Sequence, residues 1–310
     1  GDGDVGQPSS ATGSRRYQLM RYRVRHTTEY RYSAQVINGH TVAHLRPRQT
    51  PTQTVISSEV TTLPEADHVD EYLDAFGNHV SYRAVEQVHD QLVVIGQHEV
   101  DITTPEHLAW SPPWEEVRTI VATDGSPDGL LARMCSIEST LVTPSADLAR
   151  FASWSFLPGR AFHEAVTDLS HRIFAEFSFD TSFSDVSTPL ADVLTHRRGV
   201  CQDFAHLAIG TMRSLGLPAR YVSGYIENEP APGKTKLVGA DASHAWCAVY
   251  IPGWGWLDVD PTNDHVPPLC HVTVGWGRDY ADVAPVRGVV FGSPATQELS
   301  VAVEVSRIGD

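Results

Sequence analysis

One helix of this chain can be predicted with little ambiguity, and a cysteine lies in its first turn. The stretch "CQDFAHLAIGTMRSLG" begins at Cys201, and Gly216 followed by Pro218 ends the helical pattern. Its apolar residues recur three and four positions apart and form one stripe: Cys201, Phe204, Ala205, Ala208, Ile209, Met212 and Leu215. The remaining surface is only weakly polar, so the sequence predicts a buried helix that other elements must cover.

Two roles are open to Cys201 at this point. Free cysteine is among the most buried residue types, so simple packing in the core is one role. The other role is that of a nucleophile. The first turn of a helix offers unpaired N–H groups and the positive end of the helix dipole, and both favour a thiolate over a thiol.

A nucleophilic cysteine needs a base, and the base needs an orienting group. Downstream, "SHAWCAVYIPGWGWLDVD" predicts a hairpin, with one strand from His244 and a second strand that ends at Asp260. With a period of two, Cys247 faces away from His244. Asp258 and Asp260 share a face of the second strand, so spacing alone allows either of them to orient His244.

Composition excludes several classes of protein. The 310 residues carry a net charge of −15, which repels the phosphates of nucleic acids and anionic membrane surfaces. No window approaches the roughly 18 consecutive apolar residues that a membrane-spanning helix needs. The four cysteines are scattered and form no CxxC pair, which favours a reducing compartment, and we expect a cytoplasmic protein.

Four segments are predicted. Residues 1–19 start without Met and are expected to be foreign to the native chain or disordered, with Met20 as the native start. Short alternating strands in residues 20–101 indicate a β-sandwich-like domain. The proline-containing stretch "TPEHLAWSPPWEEV" opens a linker and helical lead-in over residues 102–145. Residues 146–310 are predicted to form the catalytic core together with the carboxyl-terminal strands.

The motifs "RGVCQDFAHLAIGTMRSLGLPARYVSGYI" and "DASHAWCAVYIPGWGWLDVDPTND" resemble the core of the bacterial transglutaminase-like cysteine protease and amidase family. "RVRHTTEYRYS" and "DAFGNHV" resemble the amino-terminal domain of that family, and "HVTVGWGRDYADVAPVRGVVFG" resembles its carboxyl-terminal segment. The resemblance implies an α+β fold. It consists of an amino-terminal all-β domain followed by a papain-like core, in which a central cysteine-bearing helix packs on an antiparallel sheet.

The resemblance also assigns roles. It implies Cys201 as the nucleophile, His244 as the base and Asp260 as the orienting carboxylate, because the family's D-P-T motif matches Asp260 rather than Asp258. The implied chemistry is cysteine-dependent acyl transfer at an amide of a peptide or protein, through a thioester. Hydrolysis is favoured over the alternative of protein-glutamine gamma-glutamyltransferase activity, because the stretch before Cys201 lacks the tryptophan expected in eukaryotic transglutaminases. A non-catalytic peptide-binding module is the second alternative.

Several further residues are candidates for lining the site. Gln202 is a candidate oxyanion donor, and the backbone N–H of Cys201 is the natural first donor. Trp246, Trp256 and Tyr221 are candidates for the wall of a groove, although core packing explains each of them equally well. The Gly- and Pro-rich loop "ENEPAPGKTKLVGADAS" is a candidate rim or lid.

No cofactor and no metal are expected. Soft ligands are available in Cys247, His265, Cys270 and His271, but their spacing matches no zinc signature. The expected partner is a peptide or protein substrate that carries an amide. No feature of the sequence indicates whether the chain forms oligomers.

Overall fold

The computed structural model describes residues 19–104, 108–227, 243–267, 269–292 and 296–309. The strands in these ranges are β1 (Leu19–Ala43), β2 (Gln53–Leu63), β3 (His68–Leu73), β4 (His79–Val85), β5 (His89–Thr103), β6 (Ser178–Phe179), β7 (Arg198–Gly199), β8 (Ala219–Ile226), β9 (Ser243–Ile251), β10 (Gly255–Val259), β11 (His271–Gly277), β12 (Val286–Gly292) and β13 (Gln297–Arg307). The helices are α1 (Trp114–Thr123), α2 (Pro127–Met134), α3 (Ala146–Ala152), α4 (Phe162–Glu176), α5 (Leu190–His196) and α6 (Cys201–Arg213), and a 3-10 helix spans Tyr280–Asp282. None of the helices within the described ranges is both long and apolar enough to cross a membrane.

The amino-terminal region is one curled antiparallel sheet in the order β2-β5-β1-β4-β3. Buried side chains alternate along β1 at Tyr22, Val24, His26 and Thr28, as the period of a half-buried strand requires. The pairing of β1 with β5 shifts register between Arg31 and Val36, beyond which β4 takes over as the neighbour. The predicted β-sandwich-like domain is therefore a single sheet, because β1 is long enough to serve both of its halves.

The last two strands belong to this curled sheet as well. β13 pairs with the first half of β1 and β12 with its second half, both antiparallel. Assigning the carboxyl-terminal strands to the catalytic core was therefore incorrect. Strand alternation shows which residues face inward but does not name the partner strand, and β1 offers these strands its free edge.

The second half of the fold is built around α6. This helix is buried along almost its whole length between helices α3, α4 and α5 and the antiparallel sheet β10-β9-β8-β11. Its apolar stripe joins one continuous core with residues from β8 and β9, such as Ala219 and Val249. The predicted α+β fold, with a central cysteine-bearing helix packed on an antiparallel sheet, is confirmed.

Two side-chain amides, one in β2 and one directly before β4, hold the outer edge of β11. Gln53 donates to the carbonyl of Thr273 at 2.7 Å and accepts from its N–H at 2.8 Å. Asn78 does the same with Trp276, donating at 2.8 Å and accepting at 3.0 Å. Because β11 ends its own sheet, its outward backbone groups would otherwise have no partner strand.

An apolar cluster completes the contact between the two sheets. It contains Tyr22, Val24, Val100, Ile102, Val303 and Val305 from the curled sheet and Tyr225, Val272 and Val274 from β8 and β11. The Tyr225 hydroxyl also lies 3.1 Å from Nδ1 of His26. The position of β11 is therefore fixed by the curled sheet.

Candidate active site

The segment before α6 explains the "RGVC" motif. Asp203, in the first turn of α6, accepts a hydrogen bond from the backbone N–H of Val200 at 2.7 Å and so caps the helix start. A Cβ atom at position 199 would lie 2.7 Å from the Asp203 carboxylate, so the glycine makes room for this cap. Cys201 then begins the helix with a half-buried side chain.

His244 lies at the start of β9, where it is buried. Its Nε2 is 2.8 Å from Oδ2 of Asp260, and Cys201 lies close enough to the same ring to act on its pKa. Because Nε2 faces Asp260, Nδ1 is the nitrogen left to face the thiol. Burial alone would lower the pKa of His244, but Asp260 and Cys201 raise it to about 10, which favours the imidazolium.

The Asp260 carboxylate is fully buried and is surrounded by donors. Its Oδ2 faces Nε2 of His244 at 2.8 Å and Nε2 of His271 at 2.9 Å, and accepts from Asn263 Nδ2 at 2.7 Å. Its Oδ1 accepts from the backbone N–H groups of Thr262 and Asn263. Burial acts to raise the pKa of Asp260, but the hydrogen bonds to the two histidines hold it far below its ordinary value. Asp260 is therefore ionised.

The choice between the two aspartates is resolved by contacts. Asp258 pairs in register with Ala248 and lies in the field of Arg220. Burial raises the pKa of Asp258 to about 6 in spite of that arginine. The hydrogen bond to His244 is made by Asp260, the residue that the D-P-T motif favoured.

The candidate lining residues are placed differently from one another. Tyr221 and Trp246 are buried close to the site, the first near Cys201 and the second with its ring 6.0 Å from that of His244. Both are covered on all sides, so they support the site from beneath and do not form the wall of a groove.

Two candidates are directed elsewhere. Gln202 donates its side-chain amide to the carbonyl of Val186 at 3.2 Å, away from the role of oxyanion donor. Trp256 pairs with Tyr250, which lies six residues from His244 along β9, or roughly 20 Å at the rise of a strand. The structure therefore does not bring Trp256 to the thiol. Of the candidate lid, residues 228–242 lie outside the described residues.

Sequence reasoning missed His271 and Asn263 as neighbours of the carboxylate. Asn263 follows Asp260 in the same "DPTND" stretch, which was a signal that could have been used. His271 was considered only as a metal ligand, in a set with Cys247, His265 and Cys270. Cys247 lies apart from that set, since its thiol donates to the carbonyl of Val259 at 3.4 Å within the core.

Two sequence models of protein families match this chain. The transglutaminase-like superfamily core matches residues 158–261, and the bacterial transglutaminase-like N-terminal region matches residues 22–101. An uncharacterized protein of Mycobacterium tuberculosis is 37% identical over 294 residues, which cover 92% of each chain. One from Mycobacterium leprae is 32% identical over 295 residues, covering 94% of this chain and 100% of the relative. This chain belongs to the transglutaminase-like superfamily.

Two further similarities concern chemistry and fold. A "Protein-glutamine gamma-glutamyltransferase" of Pseudomonas aeruginosa is 40% identical over 72 residues, 23% of this chain and 11% of that protein. A crystal structure described as "a Putative Cysteine Protease from Cytophaga hutchinsonii" has a TM-score of 0.73 at 20% identity, covering 95% of this chain and 93% of that one. That structure shares the fold. Membership of the transglutaminase-like superfamily supports cysteine-based acyl transfer as the general chemistry.

The site of this transglutaminase-like protein also contains donor atoms of the kind that bind metals. Atoms of His244, Asp260 and His271 lie within 4.8 Å of one another. Two imidazoles and a carboxylate form a set that zinc accepts. The same three atoms are, however, joined by hydrogen bonds of 2.8 and 2.9 Å, so hydrogen bonding accounts for the cluster.

Proposed function

We propose that this protein hydrolyses an amide bond of a peptide or protein through a thioester on Cys201. The observation that carries the proposal is the connected series Cys201, His244 and Asp260, with the thiol at the amino-terminal end of a buried helix. The nucleophile needs a neighbouring base, the base needs a fixed orientation, and this arrangement can supply both.

The reaction follows from the position of each proton. His244 takes the thiol proton on Nδ1, and the Cys201 thiolate adds to the amide carbon to give a tetrahedral oxyanion. When this intermediate collapses, the C–N bond breaks and the His244 imidazolium protonates the leaving amine. His244 then removes a proton from water, which attacks the thioester and releases the acid and the thiol. Asp260 remains ionised throughout and balances the imidazolium.

The oxyanion requires hydrogen-bond donors. The backbone N–H of Cys201 is a candidate because the first N–H groups of an α-helix have no acceptor within the helix. The Gln202 side chain is engaged with Val186, so a backbone donor is the better candidate for this role. Such a donor contributes about 2.7–4 kcal/mol to the stability of the transition state.

A second candidate function is transfer of the acyl group to an amine. The similarity of 72 residues to the gamma-glutamyltransferase of Pseudomonas aeruginosa favours it. The absence of a tryptophan shortly before Cys201 favours hydrolysis. The two reactions share the thioester and differ only in whether water or an amine resolves it.

The experiment measures both outcomes on one protein. A library of glutamine-containing peptides is incubated with the wild type and with Cys201→Ser, with and without a fluorescent primary amine. Hydrolysis predicts release of amine and free acid by the wild type alone. Faster incorporation of the fluorescent amine than formation of free acid would reverse the choice in favour of transfer.

A labelling control tests the nucleophile itself. Iodoacetamide should alkylate Cys201 fast and almost independently of pH from 5 to 9, and this rate should collapse in His244→Ala. The buried Cys135 and Cys247 serve as internal controls for slow labelling. If Cys201 reacts as slowly as these two and no peptide is turned over, the non-catalytic alternative replaces the proposal.

We also infer a cytoplasmic location from the cysteines. All four thiols are free in the structure, which fits a reducing compartment. Fractionation of cells that produce the tagged protein tests this inference, and recovery outside the cytoplasm would contradict it.

A further inference from the structure

Two histidines share the Asp260 carboxylate, and each has a cysteine on its far side. His244 Nε2 lies 2.8 Å from Oδ2, and Cys201 lies close enough to the same ring to act on its pKa. His271 Nε2 lies 2.9 Å from the same oxygen, and Sγ of Cys270 lies 3.5 Å from its Nδ1. The two cysteine–histidine pairs are thus arranged alike around one carboxylate.

The protonation of the second pair follows from its contacts. An ionised carboxylate can only accept hydrogen bonds, so Nε2 of His271 carries the proton. Burial lowers the pKa of His271 even though Asp260 acts to raise it, so the ring stays neutral and Nδ1 has a free lone pair. Burial raises the pKa of Cys270, so the Cys270 thiol keeps its proton and can donate it to Nδ1.

The two pairs therefore differ in charge. Cys201 begins α6, where the helix dipole favours a thiolate, whereas Cys270 precedes a strand and lies in the field of the Glu227 carboxylate. One negative carboxylate can balance one imidazolium. Because His271 is neutral, the negative charge of Asp260 is available to balance the His244 imidazolium.

We propose that His271 is a positioning residue: as a neutral Nε2–H donor it fixes the Asp260 carboxylate toward His244, and the Cys270 thiol fixes the tautomer of His271. This inference rests on the proposed function and assigns a further residue to it. Metal-site histidines are oriented by their hydrogen-bonded neighbours in the same way.

The surroundings of His271 give it a fixed position. Its ring meets the Trp246 ring at 90° with centroids 5.0 Å apart, and the His265 ring lies 5.2 Å away at 87°. Two residues further along β11, the backbone of Thr273 is held by Gln53 of the curled sheet. The curled sheet thereby supports the carboxylate through β11 and His271.

The test compares His271→Gln with His271→Leu. Gln places an amide N–H near the position of Nε2, whereas Leu has a similar volume and no donor. We expect His271→Leu to lose about 10- to 100-fold in kcat with little change in KM, and His271→Gln to keep most of the activity. Both variants are first checked for native circular dichroism.

The pH profile separates positioning from a merely structural role. In His271→Leu the carboxylate is no longer held toward His244, so the alkaline limb of kcat/KM should move to lower pH. The titratable and charged groups around His271 are Asp260, His244, His265 and Cys270, with Glu227 and Arg307 acting on Cys270. An unchanged alkaline limb, or equal losses in both variants, would overturn the role of His271.

The wild type supplies a measurement that does not depend on a variant folding. Nitrogen-15 NMR of labelled histidine should show His271 as the neutral tautomer protonated on Nε2 from pH 6 to 8. An imidazolium or an Nδ1-protonated ring would overturn the inference. Absence of Cys201-dependent turnover in the wild type would overturn the proposed function, whereas turnover that His271→Leu leaves intact would overturn only the role of His271.

Discussion

At the scale of single residues, the site depends on one buried negative charge. An ionised carboxylate in a buried position is costly unless it is paired and hydrogen-bonded. Asp260 meets both conditions, with side-chain and backbone donors on its two oxygens and the His244 ring as its cationic partner. His244 therefore keeps its second proton at pH values well above the ordinary pKa of histidine.

Replacing Asp260 by asparagine should reduce turnover, whereas the same replacement of the neighbouring Asp258 should not. In Asp260→Asn, His244 loses its counter-charge, and its pKa should fall from about 10 toward its ordinary value. The imidazolium is then lost at lower pH, and turnover should drop by at least about 100-fold. Asp258→Asn is the matched control and should leave both the turnover and the alkaline limb of the pH–rate profile close to wild type. Equal losses in the two variants would contradict the assignment.

Local signals led to Cys201, His244 and a pair of aspartates, and the family resemblance then favoured Asp260 over Asp258. Cys201 lies on a helical stripe, and His244 and Asp260 lie on the strands of one predicted hairpin. These residues meet in the structure, while their catalytic role stays a prediction. His271 carries no such signal, because it reaches Asp260 only through the pairing of β11 with β8. That pairing is set by the tertiary fold and not by local spacing.

At the scale of elements, β8 needs a residue without a side chain at the point where the Trp246 ring crosses it. Gly224 pairs with His244 on one side and with Thr273 on the other. A Cβ atom at this position would lie 2.6 Å from the Trp246 ring and 2.1 Å from the carbonyl of Val272. The absence of a side chain thus allows the Trp246 ring to cross β8 and pack against His271.

Substitution of this glycine should damage both stability and the site. Gly224→Ala forces the backbone of β11 or the Trp246 ring to shift, and we expect a loss of about 1–3 kcal/mol in the free energy of unfolding. Gly125→Ala is the control, because no atom lies within 4 Å of the added Cβ. Urea unfolding curves of the two variants decide the matter. A Gly224→Ala protein as stable as the control would show that β8 and β11 do not pack this closely.

A second set of contacts between the two sheets is a stack in which arginine side chains alternate with tryptophan rings. The guanidinium carbons of Arg48 and Arg220 each lie 3.7 Å from the centroid of Trp276, and Arg220 also lies 4.1 Å from that of Trp256. Such contacts are favourable because a cation is attracted to the face of an aromatic ring. Arg48 follows β1, so this stack also joins the curled sheet to the sheet that carries the site.

At the scale of the whole molecule, the two ends of the described chain lie side by side. Tyr22 pairs with Arg307, and Tyr32 pairs with Gln297. The α+β core thus lies, in sequence, between two groups of strands that belong to the same sheet. The order of an all-β region before an α+β core could be predicted from strand and helix periods. The return of the last strands to β1 could not, because it depends on a free edge that only the folded sheet has.

Removal of the last two strands should therefore destabilise the amino-terminal sheet. A chain truncated after Pro285 leaves one edge of β1 unpaired and uncovers its side of the apolar cluster between the sheets. We expect a lower thermal midpoint and concentration-dependent association, since an unpaired edge attracts other strands. Truncation after Arg307 keeps every residue pair between β1 and β13 and removes one further hydrogen bond, from Ile308 to Arg21, so it is the control. If the two truncated chains melt at the same temperature, β12 and β13 do not stabilise the sheet.

The sharing of β1 by both ends also sets an order of events during synthesis. A ribosome makes proteins from the amino end, so β1 emerges long before the strands that flank its other edge. The α+β core is continuous in sequence and can form while the growing chain is still attached. The sheet of β1 to β5 must keep one long edge unpaired until β12 and β13 have been made, so the strands that complete it are translated only after the whole α+β core.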